Sequence, residues 1–201
     1  MKTFHRLLWN ALFSSVMGSF VWFALTFWVY LETRSVVATS VIGGAFAVIS
    51  SLFGMLFGTY VDHHRKHTAM VVASVTALGF YAAALVMYAL VENDWLLRVR
   101  NPVFWLFVSI ILAGSVVGNL RGIALSTSVT LLVPEGLRAQ ANGKVGAVLG
   151  ISFTITSVLS GVVIGQLGMG WALIIAVSVS SLALAHLLTI PVDEERPAYD
   201  P

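Results

Sequence analysis

Arg121 carries more chemistry than any other residue of this sequence. It stands alone in an apolar stretch running from Asn101 to Pro134, roughly 13 residues before that proline, or about 20 Å along a helix at 1.5 Å per residue. A guanidinium near the midplane of a hydrocarbon layer costs at least about 2.5 to 3.5 kcal/mol, so it is retained only where a cavity or a partner receives it. Ser115, Asn119, Gly122 and Ser126 form a second polar stripe about 120° around the same helix. Only one of the two faces is expected to point straight at a central cavity. In the first apolar stretch, Asn10, Ser14, Ser15 and Ser19 are expected to line its mouth, with Trp22 against an amphiphilic ligand. Arg121, Asn119, Ser115, Trp22, Ser19 and Asn10 are therefore the candidate substrate-pathway residues. Each has a plainer reading, since Ser bonds back to its own helix and Arg snorkels or caps carbonyls.

Other reactive types are poorly placed. Ser160 with His186 could in principle form a nucleophile and base within a membrane, but no G-x-S-x-G surrounds the serine, so no enzyme and no catalytic residue is expected. His63, His64 and His67 lack a carboxylate cluster, so no metal and no cofactor is expected. No Asp or Glu falls in the centre of an apolar stretch. Glu32 and Asp62, at the ends of two stretches, are the nearest groups that proton coupling could use. His186, near the end of the last stretch, reads as an interface residue.

The elements that must position these residues follow from composition. Of 201 residues, 58% are hydrophobic and 10% charged, where a soluble domain carries about 25% charged residues. Runs free of Asp, Glu, Lys and Arg extend over Leu7 to Leu31, Ser35 to Val61, Thr68 to Val91, Asn101 to Leu120 and Val145 to Val192, each long enough to cross a bilayer. The last holds two spans, broken at Gly165-Gln166-Leu167-Gly168-Met169-Gly170. Six transmembrane helices are expected, at 7–31, 36–61, 68–91, 102–133, 143–165 and 170–190. A membrane barrel is excluded by the lack of alternation, and a cleaved signal peptide by the length of the first run.

Lys2, Arg6, Arg65, Lys66, Arg138, Lys144 and Arg196 fall on one side of these spans, against Arg34, Arg98 and Arg100 on the other. The positive-inside rule then puts both termini in the cytoplasm of a multi-pass cell-membrane protein. The net charge of +2 reflects that loop bias, and no nucleic-acid partner is expected. Residues 1–190 form the bundle. Residues 191–201, with Asp193, Glu194, Glu195, Pro197 and Asp200, read as a polar cytoplasmic tail or the start of a linker.

Face by face, Trp9, Phe13, Phe20, Phe23 and Phe27 share one side of the first span, expected to meet lipid, and Ser15, Ser19, Trp22 and Thr26 another, expected to face inward. Small residues form a stripe in the second span (Gly43, Ala47, Ser51, Gly54, Gly58) and in the fifth (Gly146, Gly150, Thr154, Ser157, Gly161, Gly165). Such stripes let helix backbones approach closely in lipid, either within the chain or against a partner.

Between the second and third spans, Gly58-Thr59-Tyr60-Val61-Asp62-His63-His64-Arg65-Lys66 resembles the G-x-x-x-D-(R)-x-x-(R/K)-(R/K) loop signature of the major facilitator superfamily. After the fourth span, Leu131-Leu132-Val133-Pro134-Glu135, Arg138 and Asn142-Gly143 resemble the L-V-P-E…R-x-x-x-N-(G/A/S) segment of its drug-efflux branch. The signature is about one residue short, His63 stands where Arg is common, and Ile111 stands where the family often has an Arg. The resemblance implies an all-α half bundle of 3+3 inverted repeats, the amino-terminal half of a fold that usually has twelve helices. It also implies that Gly58, Asp62, Arg65, Lys66 and Arg138 form a conformational loop signature, with Gly58 permitting a tight turn, Asp62 pairing with Arg138 or capping a helix, and the cations meeting helix C-termini.

The function so implied is a secondary active transporter, half or fragment, exporting a small organic, amphiphilic compound by alternating access. Its partners would be the lipid bilayer, a small-molecule substrate, and a second six-helix half or a homodimer partner. The alternative is a non-transporting membrane assembly or regulatory subunit derived from such a half. Topology is directly testable. Reporters fused after Arg65 or Arg138 should register as cytoplasmic and one at Asp94 as external, and a cytoplasmic signal at Asp94 excludes six spans.

Overall fold

Inside hydrocarbon no water satisfies backbone N–H and C=O groups, so a chain this apolar closes them within helices. The structure is a computed structural model that describes residues 2–192. Its helices are α1 (Lys2–Thr33), α2 (Val36–His63), α3 (Lys66–Leu90), the short α4 (Asn93–Leu97), α5 (Pro102–Leu132), α6 (Arg138–Gln166) and α7 (Gly168–Leu188). All but α4 are long and apolar enough to cross a membrane. The expected spans are recovered to within a few residues, α1, α2 and α6 running longer and α3, α5 and α7 ending one or two residues sooner. Arg138 to Lys144 is helical where the fifth span was expected to begin at 143, because the chain re-enters a helix directly after a 3-10 turn at Glu135–Leu137. The polar tail from residue 193 onward lies outside the described residues.

Helix starts and stops have local causes. Ser35 Oγ accepts from the Ala38 N–H at 3.1 Å to start α2, and Asn101 Oδ1 accepts from the Val103 N–H at 3.0 Å, with Pro102 at the first position of α5. Pro134 ends α5, since the residue before a proline is pushed to extended backbone and Val133 adopts it. α6 and α7 are joined at Leu167, and the break falls on Gly168, whose φ of 81° is open to glycine at little cost. Arg34 makes the corresponding turn after α1 at φ 53° without that advantage.

Packing relates the two halves of the bundle. α1 lies on α6 and α7, α5 lies on α2 and α3, α1 meets α5, and α3 meets α7. Exchanging the first three long helices with the last three preserves these pairings. α1 runs away from the face where both ends of the described chain lie, and α5 runs towards it, so the repeats are inverted. One core gathers Leu25, Trp28, Phe104, Phe107, Ile111 and Leu173 towards the opposite face. A second gathers Phe4, Leu7, Met70, Leu125, Val133 and Leu187 towards the terminal face. Leu96 of α4, fully buried, plugs the first core from outside.

Two expectations are corrected, and a choice left open is narrowed. The aromatic side of α1 does not meet lipid as a unit: Trp9 and Phe13 are exposed, Phe20 is buried in the core, and Phe23 packs edge-on against Phe153 of α6 at 5.1 Å. A helix this central has neighbours on most sides. The glycine stripes of α2 and α6 do not mediate close packing within the chain, because a Cβ at Gly43, Gly54, Gly58, Gly146, Gly150 or Gly165 would meet nothing within 4 Å. Close approach occurs instead at Gly114, where a Cβ would sit 2.7 Å from Tyr81 Cε1 and 3.0 Å from Phe80 Cβ, and at Gly170, 2.9 Å from Tyr88 Cε1. Gly58 does not make the turn either. α2 continues through His63, and His64 and Arg65 turn the chain in extended conformations.

These contacts set a stability order. Gly114→Ala should destabilise by about 1–3 kcal/mol through overpacking, and Gly168→Ala by about 1–2 kcal/mol through left-handed strain. Gly150→Ala should be neutral or slightly stabilising. Unfolding titrations in mixed micelles check the ranking, and equal losses at Gly114 and Gly150 would contradict it.

Candidate substrate cavity

The two cores leave a gap between them, at the depth where serine, glycine and Arg121 replace large apolar side chains. A cavity of about 680 Å³ occupies it, walled by α1, α2, α3, α5, α6 and α7. Such a volume suits a drug-sized organic molecule. Among the sequence candidates, Ser19, Trp22, Ser115, Asn119 and Arg121 line the cavity, as do Ser14, Ser15 and Ser126. Both polar stripes of α5 therefore reach it, against the expectation that only one would. Asn119 and Ser126 are exposed at the opening, while Ser115, 4% exposed, and Arg121, 6% exposed, form part of the wall.

Asn10 is the candidate that moves. It does not line the mouth but is buried at the junction of α1, α5 and α7, 1% exposed. Arg121 Nη2 donates to Asn10 Oδ1, and Arg121 Nη1 donates to Ser74 Oγ. Because the guanidinium can only donate, Asn10 Oδ1 faces it, and the Asn10 amide nitrogen faces α7. There Asn10 Nδ2 donates to the Ala183 carbonyl at 2.8 Å and to His186 Nδ1 at 3.0 Å. The network thus assigns the lone pair of His186 to Nδ1. Ser74 completes the chain by donating to the Met70 carbonyl at 2.7 Å. Asn10 and Ser74 each stand eight residues past the starts of their helices, about 12 Å of rise, so the guanidinium is drawn from the midplane towards the terminal face.

The network is incomplete at two points. Arg121 Nε and Trp22 Nε1 are buried donors without a hydrogen-bond partner. Trp22 is held by Phe46 at 5.1 Å and Phe23 at 4.8 Å between ring centroids. Asn119 Nδ2 donates to Ser50 Oγ of α2 at 3.1 Å, and Tyr81 and Ser115 hydroxyls meet at 3.5 Å. Sequence reading missed Ser74, His186 as a partner of Asn10, and Tyr81. The signal was available for Ser74 alone, as a polar residue in the third span with the depth of Asn10 in the first.

Nucleophilic chemistry has no support here. Ser160 Oγ is buried and donates to the Thr156 carbonyl at 2.6 Å, while His186 is engaged with Asn10. The loop signature lies away from the cavity. Lys66 Nζ donates to the Val61 carbonyl at 2.9 Å, closing the end of α2, and Arg138 donates to the Thr130 and Val133 carbonyls at 3.0 and 3.3 Å, closing α5. Arg6 and His67 likewise reach the Thr189 and Leu187 carbonyls at the end of α7. Cations meeting helix C-termini were expected. Asp62 is exposed and has no ion pair or hydrogen bond with the described residues, so it is not paired with Arg138 in this structure. Arg65 is exposed at the N-cap of α3.

Six membrane-crossing helices in inverted repeats around a central cavity define a multi-pass membrane protein of transporter type. The major facilitator superfamily profile matches residues 4–201, and the chain belongs to that family of membrane transporters. No match is found among curated proteins or among solved structures.

The Asn10 junction yields a coupling test. Asn10→Ala strands buried donors and acceptors on both α5 and α7, and should cost about 1–3 kcal/mol. Asn10→Ala and Arg121→Met combined should cost less than the sum of the single changes, by about 0.5–3 kcal/mol. Strict additivity in unfolding titrations would mean the two side chains do not share a network.

Proposed function

We propose that this chain is one six-helix half of a secondary transporter that exports a small organic, amphiphilic compound by alternating access, as in the drug-efflux branch. The observation that carries the reading is the position of the cavity beside two unpartnered helix faces. α2 and α6 flank it, yet expose Val48, Leu52, Met55 and Leu56 on one and Ile151, Phe153, Val158 and Val162 on the other. Their glycine stripes leave room for another backbone. A second six-helix unit, either another half or a second copy, would cover both faces and close the cavity from the side.

In this reading the terminal face is cytoplasmic and the membrane is the cell membrane, as the loop charges require. Asp62, exposed here, engages a cation of the partner unit or of Arg138 in another conformational state. Efflux direction rests on the Leu131 to Gly143 segment and its likeness to the drug-efflux branch.

Two measurements test the proposal. Cysteines placed on the α2 and α6 stripes should crosslink to a second unit in membranes, and Gly54→Leu or Gly150→Leu should abolish that crosslink while Phe13→Ala leaves it intact. Efflux of an amphiphilic dye should fall at least about tenfold in Arg121→Ala and recover in part in Arg121→Lys. A chain that transports as a monomer overturns the half-bundle reading. A chain that pairs but moves nothing is the regulatory subunit instead.

A further inference from the structure

Resting on the transporter reading, the charge of the cavity narrows the substrate. Arg121 is 94% buried, and among the described residues its hydrogen-bond partners are the neutral Asn10 and Ser74 and no carboxylate reaches it. Among the described residues lining the cavity there is no Asp or Glu. A cation confined in low dielectric without a counter-ion attracts an anion strongly and repels a second cation, since neither charge is screened by water. Two further observations point the same way. Arg121 and Trp22 both line the cavity and each carries a donor without a hydrogen-bond partner, Nε and Nε1, but these atoms are closed off from it, so a ligand's acceptors meet them only if the side chains shift. Ser15 and Ser19 line it between them, and neither makes a hydrogen bond with the described residues, so their hydroxyls are available to a bound ligand.

The cavity is also polarised along its length. Its apolar wall is Trp22, Phe46, Leu149 and Phe153. Trp22 lies twelve residues along α1 from Asn10, about 18 Å of helix rise. Since Asn10 holds the guanidinium, the charged end and the aromatic end of the cavity are well separated. We infer that the cavity binds an elongated amphiphilic anion, its acid group at Arg121 and its aromatic or aliphatic end against Trp22, Phe46 and Phe153, and that it discriminates against amphiphilic cations.

Three dansyl probes of equal apolar size and different charge test this: 11-(dansylamino)undecanoate, its methyl ester, and the corresponding undecylamine. Binding to the full chain in phosphatidylcholine nanodiscs is read by tryptophan-to-dansyl energy transfer, with empty nanodiscs subtracted. The carboxylate should bind at least about tenfold more tightly than the amine, with the ester between them. Arg121→Gln should erase that preference, and Arg121→Lys should restore part of it. Trp22→Phe should weaken carboxylate and ester alike, leaving the preference for negative charge. Competition by a few mole per cent of phosphatidylglycerol would support the anion site and identify a membrane lipid as its source, whereas competition by soluble aryl carboxylates would support it with a free acid.

Equal or tighter binding of the amine to the unmodified chain overturns the inference, and that comparison needs no variant to fold. So does a charge preference that survives in folded Arg121→Gln. The transporter reading fails separately. Anion binding without transport would leave the site standing and remove the transporter, while transport of the amine would keep the transporter and remove the anion site.

Discussion

A guanidinium held in a hydrocarbon layer needs acceptors around it, and here two helices provide them and a third is drawn in behind. Asn10 from α1 and Ser74 from α3 accept from Arg121 of α5, and Asn10 in turn donates to α7. Both acceptors are neutral. Hydrogen bonding is therefore met in part, while the charge is left without a counter-ion. The same layer divides the apolar core into two clusters, because side chains that could bridge them would bury the polar group without solvent. A cavity at that depth follows from the polar layer.

Helix ends impose the second requirement, since the last carbonyls of each helix have no intrahelical donor. At the terminal face α2, α5 and α7 finish, and each receives a basic side chain: Lys66, Arg138, and Arg6 with His67. At the opposite face α1 and α6 finish instead on residues of positive φ, Arg34 and Gly168. The charge asymmetry read as a topological signal thus coincides with a structural use of the same residues. His63 and His64 join it, each directing Nδ1 to the carbonyl of the residue four positions earlier.

The spans were legible because apolar runs of bilayer length have one solution in lipid. Arg121 was legible because a lone charge in such a run needs a reason. The Gly165 to Gly170 break was legible from composition, though only geometry isolates Gly168 as the turning residue. Asn10 was named but misplaced, since a polar residue near a helix start is equally suited to a mouth or to a buried junction. The aromatic side of α1 misled for a similar reason. Amphipathic sorting assumes one buried side, whereas a helix in contact with α2, α5, α6 and α7 has several. Gly114 went unnoticed because a single glycine has no periodicity, and its role depends on Tyr81 from another helix.

The saturation of Asn10 bears on how such a bundle can move. Its two donors and its acceptor are all committed, to α7 and to α5, so neither helix can slide past α1 without exposing an unpaired group to hydrocarbon. α1, α3, α5 and α7 are pinned at one depth, like spokes at a hub, while α2 and α6 lie outside that joint. Motion is therefore cheapest as a tilt of these four helices together, with no internal rearrangement of the hub.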